Sequence, residues 1–146
     1  MPASGVVDLA DANVWLALAF SDHSHHSQVK AWFDAKPDTS CAFCRITQMA
    51  LLRHLTNSKI MGRFVLSQHD AWKTYDQLAQ DPRTFFLDDP PGLDATFRTL
   101  TNFSSPSHEL WTDAFLASVS INTHIRLVTF DQGYRRFVGL DLHLLG

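Results

Sequence analysis

What most constrains this chain is an alternation. Five short apolar runs, Val6–Ala10, Ser40–Phe43, Thr84–Leu87, Leu127–Phe130 and Leu140–Leu145, are too short for ordinary helices but suit buried strands. Between most of them lie segments of helical period. Val14–Phe20 is apolar throughout, and Ser27–Ala35 puts Val29, Trp32 and Phe33 on one face. Ile46–Leu55, Ser67–Leu78 (Trp72 and Tyr75 inward) and Asp94–Leu100 follow, then His108–Ile121 with a stripe of Leu110, Ala114, Ala117 and Ile121. Asn13 is placed to cap the first helix, and "TNSKIMG" breaks the pattern after Leu55. Strands alternating with helices predict an α/β sandwich around a parallel sheet. No repeat or long linker interrupts it, so residues 1–146 read as a single domain.

Composition narrows the function classes. A net charge of −3 argues against a general polyanion binder, so nucleic-acid contact would need a local basic patch or metal ions. No apolar run approaches the roughly 18 residues that span a bilayer. The first basic residue is Lys30, which argues against a secretory signal. The expectation is a soluble cytoplasmic protein with no membrane contact. Cys41 and Cys44 form a C-x-x-C, but on a strand their thiols face opposite ways and no second pair completes a zinc set. They read as core cysteines.

Three carboxylates are misplaced by burial logic. Asp11 ends the first strand and Asp131 the fourth, while Asp113 has Leu110, Leu116 and Ala117 as its helical neighbours. In open parallel sheets, sites gather beyond the carboxyl ends of the strands. Three carboxylates brought together there would repel one another, and a hard divalent cation such as Mg²⁺ or Mn²⁺ relieves that repulsion. Asp8 lies an odd number of residues from Asp11, at the strand's entry, and is expected to reach solvent or a backbone partner instead.

Four segments in order carry a family resemblance: "DANVWLALAFSDHSHH", "RITQMALLRHLTN", "LWTDAFLASVSI" and "LVTFDQGYRRF". Together the chain resembles a PIN-domain ribonuclease, specifically a VapC-like toxin of a type II toxin–antitoxin pair. The resemblance implies a PIN-like three-layer sandwich, with a parallel five-stranded sheet flanked by helices. It implies a Mg²⁺- or Mn²⁺-dependent endoribonuclease whose metal ligands and catalytic residues match Asp11, Asp113 and Asp131. Asn13 and Thr129 match supporting polar positions. It also implies an RNA substrate, a small cognate antitoxin and a homodimer.

One position departs. Where the wider family usually carries Glu after Thr in the third-helix segment, this chain has Gln48, which brings no charge. Glu109, one turn before Asp113, is a possible substitute. The departure supports a second reading, a PIN-fold module that binds RNA or a partner and cuts weakly or not at all. A metal-dependent phosphatase or DNA nuclease is a third. Lys59, Arg63, Arg135 and Arg136 are candidate phosphate contacts, with solvated surface charge as the default for each. "HSHH" (23–26) reads as a structural or contact turn in preference to a zinc site.

Overall fold

The computed structural model describes residues 6–146. Five strands, β1 (Asp8–Ala10), β2 (Cys41–Cys44), β3 (Thr84–Leu87), β4 (Arg126–Thr129) and β5 (Leu142–Leu144), form one sheet in the order β3-β2-β1-β4-β5. Every pairing is parallel. The helices are α1 (Ala12–Ala19), α2 (His26–Asp34), α3 (Arg45–Leu55), α4 (Ser58–Met61), α5 (Gln68–Ala79), α6 (Leu93–Thr101) and α7 (Leu110–Thr123). The expected "TNSKIMG" break is in fact α4, capped by the Asn57 side chain on the Lys59 N–H, followed by a 3₁₀ turn at Gly62–Phe64.

Period-two alternation sorts the sheet into two cores. Ala10, Cys41, Phe43 and Val128 face α1, α2, α3 and α5, where Trp15 stacks on Phe43 at 4.0 Å between ring centroids. Leu9, Ala42, Cys44 and Leu127 face α7, with α6 packed outside it. The result is three layers. Cys41 and Cys44 therefore lie in different cores, and burial pushes the Cys41 thiol up to about 11 and raises that of Cys44. Such thiols stay protonated and inert near neutral pH.

The aromatic residues divide unevenly. Trp15 is buried and Tyr75 nearly so, but Trp72 and Trp111 are about half exposed. Among the described residues, no helix is long and apolar enough to cross a membrane.

The strand order fixes where a site can form. From central β1 the chain moves outward through β2 and β3, then returns to the other side of β1 as β4. The carboxyl ends of β1 and β4 thus flank a topological switch point, where adjoining loops diverge and leave a crevice.

Asp8 lies at the opposite end of β1 and does not reach solvent. It is fully buried and accepts from Arg126 Nε (2.7 Å) and Nη2 (3.0 Å), Trp32 Nε1 (3.1 Å) and Lys36 Nζ (2.5 Å). Burial alone would raise its pKa. The hydrogen bonds and charges of Arg126 and Lys36 outweigh burial and hold the carboxyl below its ordinary value.

Candidate metal centre at the switch point

Asp11 leaves β1 with extended backbone, and its N–H donates to Val128 O of β4 (2.9 Å). Its Oδ1 accepts from the Ala12 N–H (2.7 Å), so Asp11 itself caps α1; the cap expected at Asn13 belongs two residues earlier. A carboxylate is favoured there because the first N–H groups of a helix lack partners and carry partial positive charge. The other oxygen, Oδ2, accepts from Thr129 Oγ1 at 2.7 Å.

Thr129, fully buried at the end of β4, joins three site residues. Besides donating to Asp11, its hydroxyl accepts from the Asn13 Nδ2 (3.3 Å) and from the Asp131 N–H (3.0 Å). Asp131 caps the 3₁₀ turn Gln132–Arg136, with Oδ1 accepting from the Gly133 N–H at 2.8 Å. Gly133 keeps this turn close: a Cβ there would lie 3.0 Å from Asp131 Oδ1, and the carboxylate would have to shift by a few tenths of an ångström to admit it.

Asp113 stands in the first turn of α7. Its Oδ1 accepts from the buried Tyr134 hydroxyl (3.2 Å) and its Oδ2 from Arg136 Nη2 (3.1 Å). Neither contact was foreseen from sequence. The available signal was "DQGYRR", where a short helical turn after Asp131 brings Tyr134 and Arg136 back toward the carboxylates. Asp113, Asp131, Gly133 and Arg136 line a polar cleft of about 460 Å³ with the segment Pro106–Leu110.

The electrostatics are those of one charged cluster. Burial is the largest cause raising the Asp11 carboxyl above its ordinary value. Hydrogen bonds from Thr129 and Ala12 oppose it, and the negative charges of Asp113 and Asp131 add to it. Asp113 is likewise raised by burial and by Asp131, against the Tyr134 hydroxyl and Arg136. The Tyr134 phenol is pushed well up, by burial first and then by all three carboxylates.

Among the described residues, no three His, Cys, Asp or Glu groups stand close enough together to hold an ion between them. Each aspartate is instead bonded to protein donors, Asp11 to Ala12 and Thr129, Asp113 to Tyr134 and Arg136, and Asp131 to Gly133. The donor chemistry nevertheless fits a hard divalent cation, being all oxygen and short of positive charge. Asn13 adds a buried amide oxygen, Oδ1, that has no hydrogen-bond partner among the described residues.

The remaining expected site residues lie apart from this hydrogen-bonded group. Gln48 is buried, as its apolar i+3 and i+4 neighbours suggested, but its amide oxygen accepts from Arg45 Nη1 at 2.5 Å. Glu109 is the residue preceding α7, outside the helix; it lines the cleft with its side chain 86% exposed, 3.7 Å from His108. Lys59 lies on α4 and Arg63 in the following 3₁₀ turn, with Arg63 over the Phe64 ring. Arg136, by contrast, belongs to the cleft. In the histidine turn, His25 stacks on Phe130 at 4.5 Å, His23 Nδ1 accepts from the His25 N–H, and His26 Nδ1 lies 2.7 Å from Ala17 O. His23 is lowered by burial and by its two histidine neighbours, with no aspartate among the causes.

Comparison with known proteins agrees with this architecture. The PIN domain family model matches residues 9–140. Ribonuclease VapC41 of Mycobacterium tuberculosis is 37% identical over 142 residues, which covers 94% of this chain and 97% of that protein. The solved VapBC2 of Rickettsia felis, bound to a DNA fragment from its promoter, superposes with a TM-score of 0.65 at 14% identity, over 95% of this chain and 98% of its own. VapC20 of M. tuberculosis, a sarcin-ricin loop cleaving toxin, gives 0.64 at 15% identity, over 92% and 98%.

Proposed function

Because the chain belongs to the PIN-domain family, we propose that it is a divalent-metal-dependent endoribonuclease of the VapC type, the toxin of a toxin–antitoxin pair. The observation that carries this reading is the gathering of Asp11, Asp113 and Asp131 at the switch point, where burial first, and neighbouring negative charge after it, raises Asp11 and Asp113 and leaves the cluster short of positive charge. Mg²⁺ or Mn²⁺ held by these carboxylates would supply an activated water and charge stabilisation at the scissile phosphate. The chain's own contribution is preorganisation. The Ala12 N–H and Thr129 fix Asp11, the Gly133 N–H fixes Asp131, and Tyr134 fixes Asp113. Thr129 also orients Asn13, whose unpartnered oxygen completes the polar surround.

The substrate is RNA, met in the cytoplasm. The partners are a small antitoxin that covers the cleft and a second copy of this chain. The structural neighbours include VapBC assemblies, which supports the antitoxin.

Incubating the protein with Mn²⁺ and single-stranded RNA should yield cleavage that EDTA abolishes. Asp11→Asn should lose it by about 10²-fold or more, since one preorganised electrostatic contact at a reacting centre is worth that much. Undiminished cleavage by Asp11→Asn would sink the assignment.

A second reading has one observation in its favour. Gln48 is uncharged and already engaged by Arg45, so the cluster has one acid fewer. A PIN-fold module that binds RNA without cutting would show no Mn²⁺ binding by calorimetry.

A further inference from the structure

Among the three carboxylates, only Asp113 has a cationic side chain bonded to it. The contact is a single one, Arg136 Nη2 to Oδ2 at 3.1 Å, with the two side chains 47% and 31% exposed. Exposed single-point pairs of this kind are weak and readily exchanged. The other oxygen of Asp113 is held by Tyr134, which is buried and fixed. Asp113 therefore has one permanent partner and one replaceable partner.

The guanidinium lines the cleft beside Asp113. Nη1 is 3.6 Å from where a Gly133 Cβ would be, so the guanidinium passes alongside the backbone of the turn that carries Asp131. Its carbon sits 4.9 Å from the Phe137 ring centroid, a cation–π contact. Among the described residues, no other group accepts a hydrogen bond from it. An arginine carries five N–H donors in a fork that matches a phosphate, so most of this donor capacity is unspent. Three carboxylates and one guanidinium leave a net charge of −2, which one divalent cation cancels.

We propose that Arg136 is the resident counter-ion of the acidic cluster, displaced from Asp113 Oδ2 by an incoming divalent cation and then used to hold the RNA phosphate in the cleft. This rests on the metal-dependent reading above. It predicts effects of opposite sign on two ligands, which a purely structural arginine does not produce.

The test compares wild type, Arg136→Gln and Arg136→Lys. Mn²⁺ affinity is measured by calorimetry without RNA, and KM by cleavage of a single-stranded RNA oligonucleotide at saturating Mn²⁺. Arg136→Gln should bind Mn²⁺ at least about fivefold more tightly, the factor equivalent to about 1 kcal/mol, while its KM rises by a similar factor. Arg136→Lys keeps the competing charge but lacks the planar fork. Its Mn²⁺ affinity should stay within about twofold of wild type and its KM should rise. Melting in EDTA checks folding, and if Arg136→Gln unfolds, Arg136→Met, which removes the charge but keeps an apolar stem beside Phe137, replaces it in both readouts with the same expected outcomes.

Unchanged or weaker Mn²⁺ binding by Arg136→Gln overturns the counter-ion role. An unchanged KM in both variants overturns the phosphate contact. If wild type itself binds no Mn²⁺, the metal-dependent function falls and this inference with it.

Discussion

Asp8 and Asp11 are separated by two residues, and their substitution to Asn should have opposite consequences. Asp8→Asn removes one charge from a buried set of four donors. The amide oxygen can replace one carboxylate oxygen, but the NH₂ then points at Arg126 or at the Lys36 and Trp32 donors. Removing one partner of a buried pair costs about 3–5 kcal/mol, and the partial exposure of Arg126 favours the lower end, about 3 kcal/mol. For a chain near 150 residues that is a fall in Tm of roughly 6–12 °C. The pH dependence has a definite sign. The Asp8 pKa is lowered by folding, so its contribution is fully present above the ordinary carboxylate value of 3.8 and is lost as pH falls through the lower folded value. Melts followed by circular dichroism should show the full gap near neutral pH and a closing gap well below 3.8. Mn²⁺ binding by Asp8→Asn should match wild type, because Asp8 lies at the entry end of β1, away from the cluster. Asp11→Asn should behave in reverse, since an asparagine still caps α1, and Mn²⁺ binding should be lost with little change in Tm. An Asp8→Asn protein that melts with wild type near neutral pH, or a gap that persists undiminished in strong acid, would refute this account of the ion pair.

Two further outcomes follow from the cluster. Thr129→Val preserves shape and burial but removes the hydroxyl that serves Asp11, Asn13 and Asp131. A hydrogen bond to a charged acceptor is worth about 1.5–3 kcal/mol, so a loss of about 2–3 kcal/mol is expected near neutral pH. The loss should shrink in acid, because Asp11, already raised, is raised further without its donor; equal losses at both pH values in denaturant titrations would count against the network. Asp11 and Asp113 both have raised folded values, so the metal-free protein loses stability as pH rises through them, above 3.8. The gain in Tm from Mn²⁺ should therefore grow with pH across that window, and a gain independent of pH would contradict the cluster's charge.

Much of the fold could be read from the chain because the necessary information is local. Alternation within four residues assigns Cys41 and Cys44 to opposite cores, and helical spacing marks α3, α5 and α7. Ends of strands are also local features, which is why Asp11 and Asp131 could be placed at the sheet's carboxyl edge. The cap on α1 was misassigned by two residues because Asp and Asn are equally good caps, and only the backbone geometry at Asp11 separates them. Trp72, expected inward, is about half exposed because hydrophobicity gives no direction at the margin of an amphipathic face.

What the sequence by itself determined was the order of elements, the parallel sheet and the candidate acids. Tertiary structure alone decided the partners. Asp8 is a buried ion rather than a solvated one because Arg126, 118 positions away, pairs with it across β1 and β4. Thr129 reaches Asp11 over the same separation, and Arg136 reaches Asp113 across 23 residues. Hydrophobic period encodes which way a side chain faces, but a charge is stabilised only by what stands opposite it, and that is set when distant strands come into register.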